Sequence, residues 1–260
     1  MGESRANVVS SFTIIKGALI SETYAAFRQW DLTASLRENL AELKKTNAIG
    51  AKSVNWLRDV IFVIQRRFDP SGRDRTLVEL AQADCSLAVW KPLLLWHMTR
   101  DEFLVCDFLV TWLYKRFREG AHRLRAEEVL PYLSLLATKG VVGGARWTAS
   151  TSRRVAAGLL RIAADFDLLR GSSIREFASY RLPEGSFLYL LHAIYQQEKS
   201  AGKMLDSADW RMFLMSQQDV EAELLRLHQF RKLHYEVAGS LVQLQLPYAS
   251  AAECAQRLVA

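Results

Sequence analysis

Between Lys139 and Arg181 the chain carries Lys139, Arg146, Arg153, Arg154, Arg161, Arg170, Arg175 and Arg181 against only Asp165, Asp167 and Glu176. Cations at this density are suited to neutralising phosphate, the interaction that supplies most of the affinity for a nucleic-acid backbone. The segment holds five of the six net positive charges of the chain, so the excess is local. Residues suited to bond-making chemistry lack the spacing it requires. His97, His122, His192, His228 and His234 show neither the i, i+4 zinc-protease pattern nor a cysteine partner at metal-ligand spacing. No serine sits in a strained-turn hydrolase motif. Asp101/Glu102 and Glu127/Glu128 stand at expected helix N-termini, where capping accounts for them without a two-metal nuclease. The expectation is a protein without catalytic residues, metal or cofactor.

The elements that position the basic residues are a helix and a hairpin. Ser150, Thr151 and Ser152 can cap a helix with Val155, Leu159, Ile162 and Phe166 on its core side and Arg154, Ala157, Gly158 and Arg161 opposite. Small residues between arginines would let that face approach a duplex closely, with Arg153 at the positive N-terminal end. Arg170 to Ser173 supplies a turn between short strands around Leu168, Leu169, Ile174 and Phe177. The order returns later: Ser216 with Asp219 opens a helix running to about Phe230, and Tyr235 to Leu246 forms two strands around Ala238, Gly239 and Ser240, ending at Pro247. Ala157, Leu159, Leu160, Arg161 and Ile162 align with Ala222, Leu224, Leu225, Arg226 and Leu227, and Leu168 with Leu233. Two winged-helix-like units are expected. The second carries Glu221 and Glu223, which suit packing or protein contact better than phosphate.

The first half reads as successive helices: Ser35–Thr46, about Ser53–Phe68, Thr76–Ala83, Leu87–Met98 with Pro92 near a first turn or a kink, and Arg100 to about Glu119. Thr99 and Glu102 have capping-box spacing before the last, whose apolar residues predict a central hub. Trp56, Trp90, Trp96 and Trp112 lie at helical spacing among Leu and Phe, as core residues do. Lys115, Arg116, Arg118, Arg123 and Arg125 end the hub helix, where they either complement its dipole or form a second phosphate patch. Arg66, Arg67, Arg73 and Arg75 read the same two ways. Gly140 to Ala145 lacks the lysine and hydroxyl residue of a phosphate loop and reads as a hinge. The expected domains are 1–139, helical, and 140–260, helical with the winged-helix-like units, in a mainly α fold.

With 260 residues, half of them apolar, the chain can bury a substantial core. Cys85, Cys106 and Cys254 are odd in number and far apart, the pattern of reduced core thiols and a cytoplasmic home. No secretory signal is expected, since no charged leader with an apolar run and small-residue cleavage site is seen. Charges interrupt every apolar run short of the roughly 18 residues a membrane span needs, so no membrane partner is expected.

Taken together, SFTIIKGALISE (Ser11 to Glu22), LRENLAELKK, LLLWHMTRDEFLVCDFLVTWL, STSRRVAAGLLRIAADFDLL, LLRLHQF and VQLQLPY resemble the BrxA family of bacteriophage-exclusion (BREX) defence systems. The resemblance implies a helical, cytoplasmic, non-enzymatic component that binds double-stranded DNA beside other BREX components, including a methyltransferase, an ATPase and a phosphatase-like protein. It does not fix the residues involved. Charge and periodicity nominate Arg146, Arg153, Arg154, Arg161, Arg170 and Arg175, with Lys115, Arg116 and Arg118 from the second cluster. Few Asn or Gln side chains accompany them, so duplex binding dominated by phosphate and weakly selective for sequence is expected. The rival reading is a protein–protein adaptor within the defence complex whose basic face meets acidic partners or solvent.

Overall fold

Ser10, Ser35, Ser53, Thr148, Ser216 and Ser250 each accept a hydrogen bond from the backbone N–H three residues on, satisfying a donor that a helix start would leave unpaired. In the computed structural model, which describes residues 9–138, 147–239 and 241–259, they open α1 (Ser11–Lys16), α3 (Leu36–Thr46), α4 (Val54–Arg67), α10 (Ala149–Asp165), α13 (Gln217–Gln229) and α14 (Ala251–Arg257). Ser35 with Glu38 and Ser216 with Asp219 complete capping boxes. The N-cap of α10 is Thr148, two residues before the expected serine cluster.

Between these lie α2 (Ile20–Arg28), α5 (Arg75–Gln82), α6 (Leu87–Met98), α9 (Ala126–Thr138), α11 (Glu184–Glu198), α12 (Ala201–Leu205) and a 3-10 turn at Ala208–Phe213. The rod after α6 is continuous but not uniform: α7 (Phe103–Asp107) passes through a π-helical stretch, Phe108–Leu113, into α8 (Tyr114–Arg118). The fold is mainly α, with 63% of the described residues helical. Strand pairing is limited, among the described residues, to two antiparallel hairpins and one bridge. The hairpins are β1 (Leu169–Gly171) with β2 (Arg175–Phe177) and β3 (His234–Ala238) with β4 (Leu241–Gln245).

Two expectations for the first half need correction. The central helix is α6, in which Trp90 and every residue from Pro92 to Met98 is buried. Burial around the whole circumference marks an innermost helix, whereas the rod of α7 and α8 leaves Thr111, Lys115 and Phe117 exposed. Glu102, moreover, caps nothing with its side chain. It is buried against Arg67, 2.9 Å from its Nε, and Arg67 also donates to the carbonyls of Thr13, Gly17 and Ala18. A fully buried guanidinium requires such a set of acceptors. Arg67 therefore neither complements a helix end nor faces phosphate; it ties the α1–α2 connection to α4.

Trp90 and Trp96 are core residues whose indoles donate to Leu77 O and Asp209 Oδ2, while Trp56 and Trp112 are half-buried. Cys85, Cys106 and Cys254 are buried thiols. The boundary drawn at 139/140 and the Gly140–Ala145 hinge fall at or within residues 139–146, outside the described residues. Across that interval α10 packs on both α1 and α9, α11 on α6, and α14 on α5.

The echo between the two helix-plus-hairpin units is structural. α10 ends with Phe166 N–H bonded to Ile162 O, Asp167 left-handed at φ 63°, and Leu168 N–H bonded to Ala163 O. α13 ends with Phe230 N–H bonded to Arg226 O, Arg231 left-handed at φ 57°, and Lys232 N–H bonded to Leu227 O. Both are left-handed helix terminations that feed a strand. They pair Leu227 with Ala163 rather than Ile162, so the backbone register differs by one residue from the sequence alignment.

Candidate nucleic-acid interface

Leu124 is buried between exposed Arg123 and Arg125, and its backbone pairs with Arg175 of β2 through N–H···O bonds of 2.8 and 2.9 Å. Beside this bridge Phe117 of α8 packs on Phe177 of β2, ring centres 5.3 Å apart. These contacts join two clusters far apart in sequence. Lys115, Arg116, Arg118, Arg123 and Arg125 are brought beside Arg170 and Arg175 as one strip, with Glu119, Glu128 and Glu176 among them. Lys115 and Arg116 reach Glu119 at 3.8 and 3.5 Å, and Arg170 reaches Glu176 at 3.3 Å. Such exposed pairs are worth at most about 1 kcal/mol and dissolve readily before a phosphate. Arg116 also lies over the Trp112 ring, and Arg175 donates to Gly171 O within the hairpin. These two therefore help to build the surface as well as charge it.

The remaining nominated residues lie elsewhere. Arg153 and Arg154 are exposed at the N-terminal end of α10, opposite its hairpin end. Arg161 is exposed one turn before the C-terminus, 3.9 Å from Asp165. Gly158, between Arg154 and Arg161, is not on an open face. A Cβ there would sit 2.8 Å from the carbonyl oxygen of Ile14, so the small residue allows α1, rather than a duplex, to approach. Arg146 falls outside the described residues.

Other basic and acidic residues are held within the fold. Arg73 pairs with Asp74 and Asp101, and Arg75 with Glu79 at 2.7 Å. Glu128 accepts the Arg125 backbone N–H at 2.9 Å, the cap expected of it. In the second unit Arg226 bonds Glu223 and Glu184 at 2.5 and 2.8 Å, and Lys232 bonds Glu184. Glu184 thereby ties α13 to α11, and the two carboxylates offset Arg226 and Lys232.

The segment most useful to the strip, Arg123–Leu124–Arg125, carried only a faint signal: one apolar residue between two cations. Its strand partner lies about fifty residues away, beyond the reach of any local pattern.

The family model of BrxA matches residues 11–193. The chain belongs to the BrxA family. Membership makes it a component of a BREX phage-defence system. The BrxA match includes α1 through most of α11, and with them the basic strip and the first helix-plus-hairpin unit; LLRLHQF and VQLQLPY of the second unit lie beyond it. Neither a curated protein nor a solved structure matches the chain. No helix among the described residues is long and apolar enough to cross a membrane.

Proposed function

We propose that this BrxA-family protein is a non-enzymatic, cytoplasmic, double-stranded DNA-binding component of its BREX system. In this reading the first winged-helix-like unit and the end of α8 bind phosphates, with Arg153 and Arg154 as a separate contact. The supporting observation is the Leu124–Arg175 pairing, which brings two modest basic clusters together, seven cations against the three carboxylates of Glu119, Glu128 and Glu176. A rigid row of cations on a hairpin and a helix end matches the backbone of a duplex better than it reads bases. A binding role is also favoured by the acids that might have held metals. Asp101 is paired with Arg73, Glu102 with Arg67, and Glu128 with a backbone amide.

The test is duplex affinity as a function of salt. Replacing Lys115, Arg118, Arg123 and Arg170 by Ala removes charges from exposed positions. It should flatten the slope of log affinity against log salt by about 0.9 per contact, close to 3.6 in all, and weaken unrelated duplexes alike. The variant Arg153→Ala/Arg154→Ala/Arg161→Ala should flatten it less, because Arg161 flanks α1. An unchanged slope for the first variant with intact folding would refute the strip.

A second reading, a protein adaptor, is favoured by one observation. Leu225, Phe230 and Val237 of the second unit are 49%, 64% and 55% exposed, and such apolar side chains suit a protein partner.

A further inference from the structure

Arg73, Arg100 and Lys199 come from the approach to α5, the α6–α7 connection and the C-terminal end of α11, and converge on one cavity of about 400 Å³. That volume lies within the range of small-molecule sites. Gln196 and Gln197 of α11 add amide groups, and no carboxylate among the described residues lines the cavity. The cavity beside Arg161, by contrast, contains Glu22 and Asp165, and the one beside Arg181 contains Asp219 and Glu223. The cavity shares no residue with the basic strip.

Its floor is a buried relay. Asp74 Oδ1 lies 2.6 Å from His97 Nδ1, and His97 Nε2 lies 2.8 Å from the Tyr189 hydroxyl. Asp74 also accepts the Asp69 N–H at 2.8 Å and the Arg73 guanidinium. A carboxylate so placed accepts a hydrogen bond from Nδ1–H, which leaves Nε2 to accept the tyrosine O–H. Burial, which pushes the His97 pKa down, agrees with a neutral ring. The His97 ring is thus neutral and fixed, the Asp74 and Asp101 carboxylates are taken up by Arg73, and the further cations of the lining are Arg100 and Lys199. Arg73 is aimed by Asp74 and Asp101, and Arg100 is held over the Trp96 ring with its guanidinium carbon 4.2 Å from the ring centre. Guanidinium and ammonium groups converging on a small cavity with amide neighbours are the chemistry of phosphate recognition.

We propose that this cavity binds a small phosphorylated molecule, its phosphate received by Arg100 and Lys199 and the remainder by Gln196 and Gln197. The inference is independent of DNA binding. Titration calorimetry on the full chain with inorganic phosphate, adenosine 5′-monophosphate and adenosine tests it. The two phosphate-bearing probes should bind and adenosine should not. Lys199→Ala and Arg100→Ala should each weaken phosphate by about ten-fold or more, as loss of a charge-assisted hydrogen bond does. Lys199 is exposed, so its variant should melt as the parent does and keep its duplex affinity. Failure of both phosphate probes at millimolar concentration, equal binding of adenosine, or unchanged phosphate affinity in Lys199→Ala would overturn the proposal. Displacement of inorganic phosphate by a short duplex would assign the site to the DNA backbone and overturn it too.

Discussion

The two helix-plus-hairpin units share a backbone plan and differ in what surrounds it. Both helices end on a phenylalanine, turn through a left-handed residue and enter a hairpin. Beside the first hairpin the chain brings Arg123 and Arg125, through the Leu124 bridge, with Glu128 bonded to the Arg125 backbone rather than to a guanidinium. Beside the second it brings Glu184 and Glu223, which bind Arg226 and Lys232. One backbone thus presents cations in the first unit and an internally neutralised surface with exposed Leu225, Phe230 and Val237 in the second. The neighbours, more than the motif, decide what each unit can bind.

The largest expected difference lies in the turns. Gly171 has φ 94°, and a Cβ there would meet Ile174 O at 2.3 Å, so Gly171→Ala must break the first hairpin. Its chemical denaturation should show a loss of about 3 kcal/mol, with most duplex affinity lost alongside. Gly239, at φ 62° with open space around it, should tolerate alanine at about 1 kcal/mol, with duplex affinity kept. Equal effects of the two substitutions on duplex binding would erase the distinction between the units.

Acid should separate charge from stability. Burial holds His192 down to about 4 and lowers His97, so both are neutral when folded, while the unfolded chain binds their protons near the ordinary 6.5. The unfolded state therefore gains protons as pH falls through 6.5, and stability declines from there towards pH 4. Melting scans should show a fall of several degrees over that window, reduced in His192→Phe. The arginines of the strip stay charged throughout, so the affinity of folded protein for duplex should change little by comparison.

A smaller effect is expected at the second unit's ion pairs. Arg226→Ala should cost about 1 kcal/mol or less in urea melts, as half-exposed pairs do, and leave the salt slope of duplex binding unchanged. A flattened slope would show that the second unit also meets phosphate. Smallest of all, Phe230→Ser should shift stability by no more than about 0.5 kcal/mol and leave duplex affinity alone. If it instead weakens DNA, the exposed apolar residues belong to the same interface as the strip.

Local signals in the sequence agree with the structure. Ser35, Ser53 and Ser216 cap the helices expected of them, Asn47 at φ 50° ends α3, and both hairpins stand where alternation and turn residues coincide. Sequence pattern and structure part where a partner distant in sequence competes with a local one. Glu102 has the spacing of a capping residue, yet the buried Arg67, 35 positions earlier, takes it. Gly158 has the periodicity of an outer face, yet Ile14 covers it. The register of the echo followed matched side chains, whereas the helix terminations fix it one residue away.

By itself the sequence determined the mainly helical class, the caps, the turns and the concentration of positive charge, because those depend on contacts within a few residues or on composition alone. It also held the segments that mark the chain as a BrxA relative. Only the tertiary structure decided which charges stand together. Leu124 and Arg175 are neighbours because strand pairing made them so. Arg67 and Arg73 are withdrawn because buried carboxylates claim them, and His97 lies between Asp74 and Tyr189 because α5, α6 and α11 pack around it. Charge acts through space, and proximity in space is set by the packed core rather than by the order of residues.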